Sequence, residues 1–180
     1  MLGNSYGRRL EGYVPDYVIF DLETTGVSCR SDRIIEISAI KVQNGKIQDE
    51  FSELVNPECE IPYWASQVNG ITDDMVEDAR TFDEVLPDFL NFVGDSILVG
   101  HNIHSFDMKF LYRECEDMYG ETLGNDYVDT LYLARRCLPQ LSHHKLTDLA
   151  DFFAISTAGA HRALKDCRMN QEIFERLGQM

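Results

Sequence analysis

The chain has 180 residues, 44% of them hydrophobic, and a formal net charge of −15 at pH 7. This length and apolar content suit one domain with its own core and exclude a mostly disordered chain, while the acidic balance counts against a surface that binds nucleic acid over its whole extent. No apolar run approaches the length of a membrane span, and no apolar segment follows the basic residues of the N-terminus, so neither a transmembrane helix nor a signal peptide is expected.

The charge is uneven. Residues 41–100 hold 13 acidic and 3 basic residues, whereas residues 131–147 hold Arg135, Arg136 and Lys145 and no acid. The C-terminal third can therefore present a positive surface. The five cysteines (Cys29, Cys59, Cys115, Cys137 and Cys167) are scattered and show no C-x-x-C spacing. They argue against a zinc site or a disulfide framework and for the reducing cytoplasm.

In chain order, residues 1–14 read as an irregular N-terminal arm before a domain over 15–178. Residues 15–23 are apolar on both faces, the mark of a central strand. "RIIEISAIKV" and "KIQDEFSELV" flank an Asn-Gly turn and predict a β-hairpin. A short helix is expected near 63–68. "TFDEVLPDFLNFVG" carries Thr81 and Glu84 at capping-box spacing before an amphipathic helix, with Pro87 an objection inside it. "SILVGHN" is a further buried strand, and the next helix is expected to start with Ser105 as its N-cap. "YVDTLYLARRCLP" predicts a short strand and a helix stopped by Pro139. Two more helices follow, over "KLTDLADFFAI" and "ALKDCRMNQEIFERLG". The order β-β-β-α-β-α-β-α-α predicts one α/β domain whose mixed sheet is antiparallel in its first three strands and parallel later.

Three weak signals carry chemistry. Asp21 and Glu23 lie two apart on the first strand, so both point to one face and repel. A hard divalent cation is the ordinary way to hold such a pair ionised, although the pair alone also suits a charged strand edge. Asp107 falls in the first turn of a helix, where a carboxylate also suits the helix dipole. Asp166 shares a helical stripe with Ala163, Asn170, Ile173 and Leu177, and no Lys or Arg stands on that stripe. His161, five residues earlier at the helix entrance, is a candidate general base, since imidazole titrates near neutrality. His104, His143 and His144 have no acid at informative spacing and read as surface or turn residues.

The joint order of "FDLETTG", "HNIHSFD" and "HRALKD", with "NGITDDMV" between the first two, resembles the DnaQ-like 3′–5′ exonucleases of the DEDDh branch, over residues 15–177. The resemblance implies a ribonuclease H-like α/β fold. It implies that Asp21, Glu23, Asp107 and Asp166 hold two divalent ions, Mg²⁺ or Mn²⁺, and that His161 deprotonates the attacking water. It places Leu22, Thr24, Asn69, Asn102 and Phe106 near the terminal nucleotide, although Phe106 equally suits a core position. The implied substrate is the 3′ end of a nucleic acid, single-stranded DNA first and RNA as the alternative. The implied partner class is a DNA polymerase or helicase, with the N-terminal arm as a candidate contact. Two departures stand out. The middle motif H-N-I-H-S-F-D is one residue longer than the family's H-N-x-x-F-D, which leaves the placement of Asn102 open, and Asn69 stands where the family often has His.

A non-catalytic binding module on the same fold is the competing class, and the presence of all five catalytic-type residues argues against it. With the last helix ending near Met180, the expectation is a stand-alone nuclease or the nuclease part of an assembly.

Overall fold

The computed structural model describes residues 2–158 and 161–180. Met1, in the expected arm, and residues 159 and 160, just before His161, lie outside them. The N-terminal segment carries β1 (Leu2–Gly3) and β2 (Arg9–Leu10); the first long strands are β3 (Tyr17–Thr24), β4 (Ile34–Gln43) and β5 (Lys46–Leu54). Helices α1 (Tyr63–Asn69), α2 (Asp73–Val76) and α3 (Phe82–Val93) precede β6 (Leu98–Gly100) and α4 (Asp107–Tyr119). Then come β7 (Thr122–Leu123), β8 (Tyr127–Asp129), α5 (Thr130–Cys137), α6 (Leu146–Phe153) and α7 (Ala163–Gly178).

Six strands form one sheet in the order β2-β8-β6-β3-β4-β5. β3, β4 and β5 pair antiparallel, and β6, β8 and β2 continue in parallel from β3. The β4–β5 hairpin turns at Asn44 and Gly45 with φ of 50° and 70°, the positive values a tight hairpin needs. Pro87 sits inside α3, where Glu84 returns its carboxylate to the Thr81 N–H at 3.0 Å and closes the first turn.

The N-terminal segment departs from the sequence expectation. β2 adds a parallel edge strand beside β8, and β1 pairs with β7. Strands of two residues carry no alternation, so no hydrophobic pattern announced them. The helix expected from Ser105 starts instead with Phe106 at the N-cap and Asp107 as its first residue. The bend of 101–106 uses up the residues that the periodic pattern had assigned to the helix.

Alternation along β3 divides the core. Val18, Phe20 and Leu22 pack with Val85, Phe89 and Leu111 of α3 and α4. Tyr17 and Ile19 face the other way, onto Ile173, Phe174 and Leu177 of α7. Asp21 and Glu23 continue this second row, so α7 covers the face from which they project. Tyr17 and Tyr13 pin that helix: their hydroxyls donate to Glu175 at 2.7 and 2.9 Å, and both rings pack on Phe174. Asp166 lies about two turns before Ile173 on the same stripe, so packing of the C-terminal half of α7 aims its N-terminal half at Asp21.

Candidate active site

The carboxylates converge. Ligand oxygens of Asp21, Glu23 and Asp166 lie within 4.8 Å of one another. Asp107, at the start of α4, completes the group: its Oδ1 accepts the Leu22 N–H at 3.1 Å, between Asp21 and Glu23. Asp107 is buried. Gly100 lets the chain between β6 and α4 approach this strand end, because a Cβ there would lie 2.1 Å from Ile103 and 2.9 Å from the Phe20 carbonyl oxygen.

His161 joins the cluster through its backbone. Its N–H donates to Asp166 Oδ2 at 2.9 Å, and its φ of 67° is left-handed, a conformation costly for a residue with a Cβ. The exposed ring is thus held beside the carboxylate that the backbone grips.

Burial raises the proton affinity of every member, and repulsion within the group adds to it at Asp21 and Glu23. Asp21 is pushed well up, by desolvation first and then by Asp107, Glu23 and Asp166. Glu23 is pushed up to about 8, chiefly by desolvation and then by Asp166 and Glu36. Desolvation also takes Asp107 up to about 7, against the pull of its backbone hydrogen bonds, and raises Asp166. Groups whose affinity for protons rises on folding contribute stability below the ordinary carboxylate range, and that contribution is lost as pH climbs through about 7–8. Between pH 5 and 8.5 in chelator, the wild-type Tm is expected to fall more than that of Glu23→Gln, and millimolar Mn²⁺ should restore most of the loss at pH 8.5. Scanning calorimetry of the two proteins checks this; parallel pH profiles would contradict it. Hard oxygen donors from Asp21, Glu23 and Asp166, with Asp107 beside them and Arg162 offsetting only part of the charge at Glu23, fit divalent ions.

The nearest cation is engaged elsewhere. Arg162 makes a forked contact to Glu36, with Nη2 2.8 Å from Oε1 and Nε 3.2 Å from both oxygens; Glu36 Oε2 also accepts the Ala163 N–H at 3.0 Å. Glu36 stands opposite Glu23 in the β3–β4 register and is buried. It therefore fixes the N-terminus of α7, and with it Asp166 and His161, to the strand beside Glu23. Sequence reading missed this residue; its signal was a lone acid inside the apolar run "RIIEISAI". Glu36→Ala strands the Ala163 N–H and Arg162 and is expected to cost about 2–4 kcal/mol of unfolding free energy, less than a fully buried pair because Arg162 is part-exposed. Glu36→Gln, which keeps an acceptor for Ala163, should lose less than half of that in urea denaturation.

Asp129 was also missed. Its Oδ1 accepts the N–H of Asn102 at 2.9 Å and of Leu131 at 3.0 Å, and its Oδ2 accepts the N–H of His104 at 3.0 Å. One buried carboxylate thus shapes the bend that absorbs the extra residue of H-N-I-H-S-F-D, with Asn102 at a φ of 63°. An Asp at a strand-to-helix junction was the available signal. His104 is held by the Tyr127 hydroxyl and His144 by the Leu138 carbonyl oxygen, as turn residues.

The expected substrate-contact residues divide. Phe106 is half-buried, packs on Phe110 and lines a cavity of about 200 Å³ with Val27, Arg30 and Lys109. Asn102 lines a second cavity. Thr24 donates to the Gly26 carbonyl oxygen at 2.6 Å, and Thr25 accepts the Arg33 N–H, so both shape the turn after the carboxylates. Leu22 has its side chain in the core and gives its N–H to Asp107. Asn69 is buried, with Oδ1 accepting the Ile71 N–H at 3.0 Å.

A cluster of acids stands at the end of the central strand of a mixed sheet flanked by helices, on a ribonuclease H-like fold. The profile of the RNase_T exonuclease family matches residues 18–174. The chain belongs to this exonuclease family. It is 44% identical over 165 residues to the DNA polymerase III PolC-type protein of Clostridium perfringens, covering 92% of this chain and 11% of that one. It is 40% identical over 158 residues to DNA polymerase III subunit epsilon of Aquifex aeolicus, covering 88% of this chain and 78% of the relative. The chain spans only about a tenth of the PolC-type proteins it matches. Among solved structures, exonuclease X in complex with 5′ overhanging duplex DNA superposes with a TM-score of 0.75 at 27% identity, covering 91% of each chain. Exonuclease I superposes with a TM-score of 0.79 at 16% identity over 92% of this chain and 43% of its own, a likeness of fold.

Proposed function

We propose that the chain is a metal-dependent 3′–5′ exonuclease that hydrolyses the terminal phosphodiester of DNA and releases nucleoside 5′-monophosphates. The observation that carries this reading is the convergence of Asp21, Glu23 and Asp166 within 4.8 Å, with His161 bonded to Asp166 through its backbone. DNA is favoured over RNA by the relatives, which are named as DNA polymerase III proteins, and by the 27%-identical exonuclease complexed with DNA.

In this reading Asp21, Glu23, Asp107 and Asp166 hold two Mg²⁺ or Mn²⁺ ions. When bound, such ions neutralise charge at the phosphoryl group and lower the pKa of water. The residues of the chain do the rest. The His161 imidazole takes a proton from water as the water oxygen bonds to phosphorus. The bond from phosphorus to the 3′ oxygen of the preceding nucleotide breaks, and that oxygen is protonated from solvent. Phe106, beside its cavity, packs against the terminal sugar or base, a contact that tolerates any sequence. The backbone bond from His161 to Asp166, 2.9 Å long, supports this role for the ring.

The relatives' names favour work alongside a DNA polymerase, and the reducing cytoplasm is the compartment of this reading. The five cysteines are free, and no helix among the described residues is long and apolar enough to cross a membrane. The test is digestion of matched 5′-labelled DNA and RNA single strands with Mn²⁺ and with chelator. The expected result is a descending ladder from DNA, with Mn²⁺ only, and at least about tenfold slower loss of RNA. Faster loss of RNA would move the reading to an exoribonuclease, and intact strands of both kinds would overturn it.

A further inference from the structure

A second concavity lies at the end of β6, one short segment of chain away from Asp107, and has no part in the chemistry above. It measures about 410 Å³ and is lined by His101, Asn102, Arg135, His143, Lys145 and neighbouring residues. Its floor is the end of β6, where His101 and Asn102 follow Gly100; its wall is α5 with the loop leading to α6.

The lining chemistry is unusual for this molecule. The chain carries 31 acidic against 16 basic residues, yet no Asp or Glu lines this cavity. Arg135 and Lys145 are exposed there, and among the described residues neither has a carboxylate within ion-pair distance. His101 adds a ring whose Nδ1 is buried without a hydrogen-bond partner. Burial lowers its pKa to about 4, so at neutral pH it stands as a neutral polar group. Two unpaired cations, hydroxyl and amide groups from Ser142 and Asn102, and an unsatisfied ring nitrogen form a receptor for an anion with several oxygens.

The position names the anion. Asn102 belongs to the cavity and Asp107, five positions further on, to the carboxylates. Even fully extended, that stretch spans at most about 18 Å, so a strand whose terminal linkage rests on the carboxylates reaches the cavity within a few nucleotides. Asp129 fixes the joining bend, tying the two places rigidly together. We propose that this cavity binds a backbone phosphodiester of the substrate strand, one to three linkages on the 5′ side of the cleaved bond, through Arg135 and Lys145. The proposal rests on the exonuclease reading for its choice of strand. It gives an acidic protein a local handhold for a polyanion, and it reads phosphate rather than base.

The experiment measures affinity without turnover. Fluorescence anisotropy in chelator compares the wild type with Arg135→Ala/Lys145→Ala on a single-stranded DNA 12-mer. The 12-mer is either unmodified or carries one neutral methylphosphonate at each of the four linkages nearest the 3′ end in turn. Loss of both cations from this one phosphate is expected to weaken binding at least about tenfold and to flatten the slope of log affinity against log salt by about 0.7. One methylphosphonate, at the second to fourth linkage, should weaken the wild type about fivefold and leave the variant unchanged. An equal penalty in both proteins, or one spread evenly over the four linkages, would overturn the proposal. Hydrolysis of the p-nitrophenyl ester of thymidine 5′-monophosphate, which has no upstream strand, should run at the wild-type rate in the variant. Absence of that hydrolysis in the wild type counts against the exonuclease reading, while the anisotropy still decides the cavity.

Discussion

Asp21→Asn is expected to lower the rate of 3′-end hydrolysis in Mn²⁺ by at least about 10³-fold while raising the Tm of the metal-free protein. The two effects have one cause. Asp21 sits at the centre of the acidic group, and its carboxylate is opposed by burial, by Asp107 and Glu23, and by Asp166. Without ions, an amide there removes a repelling charge, and each kcal/mol relieved is worth about 2–4 °C in a chain of this size. With ions, the same change removes a ligand whose share of charge stabilisation is several kcal/mol, and each 1.4 kcal/mol is about tenfold in rate. A structural acid would behave otherwise, losing stability and activity together. Initial rates on labelled single-stranded DNA and calorimetric melting in chelator check the two halves separately. A less active variant that is also less stable without metal would contradict the account.

His161→Ala is expected to lose about 10²–10⁴-fold in kcat, the usual range for a positioned general base, with Mn²⁺ affinity nearly unchanged. The separation follows from geometry. The group that holds Asp166 is the backbone N–H of His161, 2.9 Å from Oδ2, and alanine keeps it. Only the ring is lost. Alanine also keeps the left-handed strain, so His161→Gly serves as the control: it relieves the strain and should be as inactive as the alanine variant. Free imidazole added to either variant should recover part of the rate, a readout that a purely structural histidine would not give. A fall in Mn²⁺ affinity equal to the fall in rate would instead make His161 a support for Asp166.

Periodicity gave only weak signals for the carboxylates, and it was the joint order of their motifs, a family resemblance, that tied them and Asp107 into one group. Asp21 and Glu23 share a strand face, and Asp166 shares a stripe with Ile173 and Leu177. The mixed sheet followed from the same patterns. The N-terminal segment was not legible, since the two-residue strands β1 and β2 gain their structure from β7 and β8, far away in the chain. Nor was the start of α4, because the bend at 101–106 depends on the Asp129 carboxylate from another strand. Glu36 and Arg162 are separated by 126 residues; neither has a local pattern, and only the β3–β4 register brings their pairing into view beside Glu23. Thr24 belongs to the motif, and its hydroxyl hydrogen goes to the turn after the carboxylates, a bond with no sequence pattern of its own.

The central claim is that this acidic cluster exists to hold divalent ions. Its most direct test is calorimetric titration of Mn²⁺ into the wild type and Asp21→Asn at pH 8, in two buffers of different ionisation enthalpy and without nucleic acid. The account predicts two ions bound by the wild type, with proton release seen as a buffer-dependent heat, since Glu23 and its neighbours hold protons more tightly than ordinary carboxylates. It predicts at least one ion fewer in the variant. No binding by the wild type, or the same stoichiometry in both proteins, would contradict it.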